Sequence, residues 1–146
     1  MDRGLAIVLT LIAGGLVALQ PPANASLAKH VGNLQATLVS LLISLAIITV
    51  LLALSGGFSG LSGITEFRPE HVLGGVAGAA IVFVSIIAVG PLGAGGVAAA
   101  TVSTQLIGSA LLDRFGVLDL ERVGLSATRV TGIALLVLGT VLVTSR

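Results

Sequence analysis

Val72–Leu112 runs for 41 residues without one Asp, Glu, Lys or Arg. A soluble fold cannot leave that much chain without charged surface, so lipid is the solvent this stretch is built for. One bilayer crossing takes about 20 residues, so the stretch holds two spans and the chain must reverse between them. Gly90-Pro91-Leu92-Gly93 marks the reversal, because Pro91 lacks an amide donor and the glycines admit a tight turn. The rest of the chain repeats the pattern. Uncharged or nearly uncharged stretches fall at Gly4–Gln20, Leu34–Leu54, Val72–Val89, Leu92–Leu112 and Ser126–Val143, together 95 of 146 residues. Twelve of the 13 charges lie outside them, and the exception, Arg129, sits in the first turn of the last span, where it can snorkel. Backbone amides find no partner in lipid, so the spans are expected to be helices. A barrel would need alternating polarity, and Leu41–Leu54 has none. The expected fold is an all-α integral membrane protein with five transmembrane helices, at about 4–20, 34–54, 72–89, 92–112 and 126–143, in one transmembrane domain over 1–146.

Composition closes off the alternatives. The chain is 55% hydrophobic and 9% charged, where a soluble domain carries about 25% charge. This excludes a cytosolic enzyme, a nucleic-acid binder and a disordered tail, and a net charge of +1 suggests no anionic macromolecule as partner. There is no cysteine for a disulfide, a thiol nucleophile or a thiolate metal site. No metal, cofactor or enzymatic activity is expected. His30 and His71 are loop residues 41 positions apart, better read as solvated than as ligands. There is no phosphate-binding loop for ATP-driven transport.

Punctuation between spans is consistent with this plan. Pro21-Pro22 kinks or ends the first helix, Gly116 stops the fourth, and Pro69 sits where the third can begin. Ser55–Thr65 reads as a flexible Gly/Ser connection and Val117–Leu125 as a short polar linker. Ala23-Asn24-Ala25 has the form of a signal-peptidase site. Asp2 cancels Arg3, however, so the leader has no positive end and the first span is expected to be retained. With a cytoplasmic N-terminus, Arg3, Arg68, Arg114, Arg122 and Arg129 fall inside and Lys29 and Arg146 outside, a bias that favours that orientation.

The polar residues inside the spans carry the functional reading. In the fourth span Gly96, Ala100, Thr104 and Gly108 recur every fourth residue, a small-residue stripe of the kind that lets helices approach closely. Beside it Thr101, Gln105 and Ser109 stack at the same interval. An unpaired amide in hydrocarbon costs several kcal/mol. Gln105 therefore either cross-links helices or lines a solute path. The first span offers Gln20 and Asn24, one turn apart if the helix continues. A weak echo links the two: Gln20, Asn24 and Gly32 against Gln105, Ser109 and Gly116. Gly74 and Gly78, Gly132 and Gly139, and Ser40 and Ser44 read as helix-packing positions. No span carries Asp, Glu, Lys or His at its centre, so no buried carboxylate is available to cycle a proton.

Several of these residues together resemble the YdcZ family of the drug/metabolite transporter superfamily. They are Gly15, Gln20-Pro-Pro-Ala-Asn24-Ala-Ser-Leu27, Gly74-Gly75-Val-Ala-Gly78, Pro91-Leu-Gly93, Gln105-Leu-Ile-Gly-Ser-Ala-Leu-Leu-Asp113-Arg-Phe-Gly116, Arg129-Val-Thr-Gly132 and Gly139. The resemblance implies a five-helix half of an inverted-repeat transporter in the bacterial inner membrane. An odd number of spans makes a tandem copy in the same chain enter upside down, giving an inverted repeat, which fits that implication. The implied assembly is an antiparallel homodimer with dual topology; the charge bias, which argues for a fixed orientation, leaves a parallel dimer or a pair with an oppositely oriented sister chain as alternatives. Under this reading Gln20, Asn24, Thr101, Thr104, Gln105 and Ser109 line the path of a small organic solute, with Asp113 at its mouth. The other reading is a membrane subunit that transports nothing and whose polar residues only hold helices together.

Overall fold

The computed structural model describes residues 2–116 and 121–145. Part of the expected linker, at 117–120, lies outside the described residues, as does Arg146, one of the charges weighed for orientation. The described residues contain helices and no strand, in the order α1 (Arg3–Val31), α2 (Asn33–Ser55), a 3-10 helix (Gly57–Glu66), a 3-10 turn (Pro69–His71), α3 (Val72–Phe115) and α4 (Ala127–Thr144). All four α-helices are long and apolar enough to cross a membrane.

The first helix differs from the sequence expectation. It does not end at Gln20 but runs for 29 residues through Pro21 and Pro22. Each proline removes one amide donor, a loss that membrane helices absorb by small local adjustments. The stop comes at Gly32, whose φ of 95° no other residue adopts readily and whose N–H donates to the Ala28 carbonyl at 2.8 Å. Lys29 and His30 occupy the last turn, where positive charge suits the negative helix end. At the other end the Asp2 carboxylate accepts from the Gly4 amide at 3.2 Å. Because the helix continues, Gln20 and Asn24 do share one face.

In α3 the 44 residues make two crossings' worth of helix. Its backbone is helical through Pro91 and leaves helical geometry at Gly93, with φ 70° and ψ 164°. That region is open only to glycine, so Gly93 and not Pro91 carries the break within the predicted motif. The segments on either side, 72–92 and 94–115, are each about 20 residues, one bilayer thickness apiece. Gly116 ends the second segment as predicted, with φ 63° and its N–H on the Leu112 carbonyl at 2.8 Å. Ser126 caps α4 by accepting from the Arg129 amide at 3.2 Å.

The chain forms two compact units, Met1–Ala88 and Val89–Arg146. In the first, Ala36 (0% exposed), Val82 and Ile86 form a small core with Leu27, Ala28 and Leu41 packed on it. In the second, α4 packs against the 94–115 segment. A Cβ placed on Gly96 would meet the Thr144 Cγ2 atom at 3.4 Å, so the small residue is what admits Thr144 there. Only Ala36, Val82, Ile86, Val97 and Ala110 are buried hydrophobics among the described residues, and no large side chain is fully buried. Exposed Leu, Ile and Val on every helix are what a protein solvated by lipid presents, since lipid tails are as apolar as those side chains.

Candidate functional site

The candidate residues fall into two groups, one in each unit. In the first unit, Asn24 and Gln20 sit half-exposed on α1. The Asn24 amide donates to the Ser40 hydroxyl of α2 at 3.0 Å, and the Ser44 hydroxyl donates to the Ser40 carbonyl at 3.0 Å. Asn24 thus ties two helices together. Gln20, one turn earlier, has no side-chain hydrogen-bond partner among the described residues.

In the second unit the 94–115 segment presents two distinct faces. One is a packing seam. Gly96, Ser103 and Ala110, spaced seven apart, are buried. The Ser103 hydroxyl lies 2.5 Å from that of Thr140, which reaches the Ala99 and Leu136 carbonyls at 3.1 and 3.0 Å. A seven-residue repeat keeps one face toward a neighbouring helix, as in left-handed pairs. The other face carries Thr101, Gln105, Ser109 and Asp113 at successive four-residue steps. Two residues turn a helix by about 200°, so Gln105 stands opposite Ser103 and away from α4.

Two hydroxyls on or beside that polar stripe are satisfied within their own helix. Ser109 donates to the Gln105 carbonyl at 2.8 Å, and Thr104 to the Ala100 carbonyl at 2.9 Å. Neither the Gln105 carboxamide nor the half-exposed Thr101 hydroxyl has a side-chain partner among the described residues. Asp113, at the far end, forms an ion pair with Arg129 of α4, each about a quarter exposed (28% and 27%). The Asp113 carbonyl also accepts from the Val123 amide at 2.9 Å, which ties Val123 to the end of α3. At about 1.5 Å per residue the stripe from Thr101 to Asp113 extends ~18 Å, more than half of a ~30 Å hydrocarbon core.

Sequence reasoning missed the ion pair, having left Arg129 to snorkel, and it missed Ser103 and Thr140. Reading the fourth span at an interval of seven instead of four would have exposed the seam. Of the glycines singled out for packing, Gly96 has close neighbours, whereas Gly74, Gly78, Gly108, Gly132 and Gly139 have open space where a Cβ would stand. Ala100 is half-exposed. The echo between the first and fourth spans extends to backbone: Gly32 and Gly116 both take positive φ and both close their helix on the carbonyl four residues back.

Among curated proteins and among solved structures, none matches this chain. A family model described as "Putative inner membrane exporter, YdcZ" matches residues 5–142, nearly the full length. The polar stripe and the Gly-terminated helices both lie inside that match, and the chain belongs to the YdcZ family.

Proposed function

We propose that this multi-pass membrane protein carries a small organic solute by alternating access, as one half of a transporter built from two five-helix units. The observation that carries the reading is the Gln105 carboxamide. It stands in an apolar helix, turned away from the α3–α4 seam, with its own helix and its neighbour offering it no partner. An amide left so in hydrocarbon costs several kcal/mol, whereas beside a wet path it costs little and can bind solute. Thr101 and Ser109 extend that path along α3. Asp113, neutralised by Arg129, closes the stripe without adding net charge. With no carboxylate at any span centre, the favoured solute is neutral or zwitterionic. The chemistry involves no covalent step.

The second unit is proposed to be an antiparallel copy of the same chain, or a sister chain of opposite orientation. For a chain of fixed orientation, as in the sister-chain pair, the Arg bias favours a cytoplasmic N-terminus. Cysteine labelling at Ser59 and Ser145, from each face of the membrane, separates these assemblies: labelling of each site from both faces establishes dual topology, and one-sided labelling removes the antiparallel homodimer. For transport, Gln105→Leu is expected to abolish uptake of tritiated neutral amino acids and polyols that wild-type proteoliposomes accumulate, while elution as an assembled particle is kept. Unchanged uptake by the variant refutes the role of Gln105. The other reading, a non-transporting subunit, draws on Asn24, whose amide joins α1 to α2 through the Ser40 hydroxyl. Under it Gln105→Leu changes assembly and nothing else.

A further inference from the structure

The connection between α2 and α3 contains a three-residue repeat: Gly57-Phe58-Ser59, Gly60-Leu61-Ser62, Gly63-Ile64-Thr65. The structure folds it as a ten-residue 3-10 helix, Gly57–Glu66. Runs of 3-10 helix beyond three or four residues are uncommon. Here the repeat and the three-residue turn coincide, so each residue type falls into its own straight row. Phe58, Leu61 and Ile64 form the apolar row, the hydroxyl residues a second, and the glycines a third. Phe67 prolongs the apolar row by one turn, its N–H donating to the Ile64 carbonyl at 3.0 Å. The four apolar side chains are 48–67% exposed, so nothing among the described residues covers them.

We propose that this helix lies in the plane of the membrane, with Phe58, Leu61, Ile64 and Phe67 docked at the boundary between headgroups and acyl chains. The membrane is the occupant because both ends of the segment are fastened to it: α2 ends at Ser55 and α3 begins at Val72. At about 2.0 Å per residue the helix spans ~20 Å, too short to cross. Its polarity is divided as an interfacial helix requires, with hydroxyls on one row and large apolar groups on another. The charged residues Glu66, Arg68 and Glu70 gather at its end, where a headgroup layer accommodates them, and Arg68 and Glu70 pair at 3.5 Å. The segment is an anchor that holds the α2–α3 connection at the surface, and it stands independently of any transport role.

The chain lacks Cys and Trp, so single probes report without background. Cysteines replacing Phe58, Ser59, Leu61, Ser62, Ile64 and Thr65 one at a time are spin-labelled in the full chain, in phosphatidylethanolamine–phosphatidylglycerol vesicles. Labels at 58, 61 and 64 are expected to collide with membrane-dissolved oxygen and labels at 59, 62 and 65 with an aqueous nickel chelate, giving a three-residue period. Uniform exposure to the chelate overturns the proposal. Shielding of the apolar row from both agents overturns it as well, since the row is then covered by protein, a second copy included. Phe58→Trp and Phe67→Trp give a second, more conservative reading. Their emission is expected to be lost to bromine placed high on the acyl chain and retained with bromine near the terminal methyl. Emission indifferent to both refutes membrane docking.

Discussion

Asp113 and Arg129 each occupy the helix end least suited to their charge. Asp113 lies in the last turn of α3, where the helix dipole is negative, and Arg129 in the first turn of α4, where it is positive. Either misplacement alone costs about 0.3–1 kcal/mol. Their pairing offsets both, and with about a quarter of each side chain exposed (28% and 27%) the pair is screened less than a fully hydrated one. Exposed pairs contribute roughly 0.2–1 kcal/mol, so a coupling energy near the top of that range, about 1 kcal/mol, is expected. The informative perturbation is the charge swap, Asp113→Arg with Arg129→Asp. It keeps the net charge at this end of the helices and the ion pair, and it turns both dipole costs into gains. It also puts an acid three residues after the Ser126 cap, the spacing of a capping box. The swap is therefore expected to match or exceed wild-type stability, by on the order of 1 kcal/mol. Asp113→Asn and Arg129→Gln alone each give up that coupling and regain the dipole cost of the charge removed, so each is expected to lose about 0–0.7 kcal/mol. Equilibrium unfolding in mixed micelles, followed by circular dichroism, of wild type, these two variants and their combination Asp113→Asn with Arg129→Gln closes a double-mutant cycle, with the swap measured beside it. Strictly additive single variants, or a swap less stable than either of them, refute the reasoning.

Three other outcomes follow from the same geometry. Gly93→Ala forces a side chain into backbone space open only to glycine, and is expected to destabilise by about 1–3 kcal/mol in the same unfolding assay. Ser103→Ala combined with Thr140→Val should show a coupling energy of about 0.6 kcal/mol, typical of hydroxyl bonds between membrane helices, whereas Ser103→Ala with Thr104→Ala should show none. Pro21→Ala and Pro22→Ala each restore an amide donor inside a helix that already runs through these positions. They are expected to leave folding intact or raise stability, and a loss of stability counts against an unbroken α1.

The membrane fold is legible in the sequence because lipid imposes a simple rule, the segregation of charge from long apolar runs. The break within Gly90-Pro91-Leu92-Gly93 and the stop at Gly116 were legible for a related reason, since positive φ has few residues to choose from, although the sequence did not single out Gly93 within the motif. Pro21-Pro22 misled because the rule that proline ends helices comes from water, where a freed carbonyl finds solvent and the helix gains little by continuing. In lipid the unwound alternative exposes more backbone than the two prolines do, so the helix persists to Gly32. The link Ser55–Thr65 misled differently. Its Gly and Ser content suggested flexibility, and the three-residue order of those residues, which matches the turn of a 3-10 helix, went unread. The ion pair was hidden because Asp113 and Arg129 belong to different helices, and only the hairpin between them brings the two together.

The phase of α3 limits what can complete the candidate path. Ser103 and Gln105 are two residues apart and so face opposite ways. Any helix that packs as tightly as α4 does on Ser103 leaves Gln105 on the far side. The hydroxyls of Ser109 and Thr104 are spent on their own helix, and Asp113 is held by Arg129. A partner for the Gln105 carboxamide must then come from beyond the α3–α4 pair: another helix, water or solute. A helix that met Gln105 permanently would remove the cost of its burial and with it the reason to expect a path. Water or solute would serve equally well in energy and would also exchange. For that reason transport by the Gln105→Leu variant, not its stability, separates the two readings.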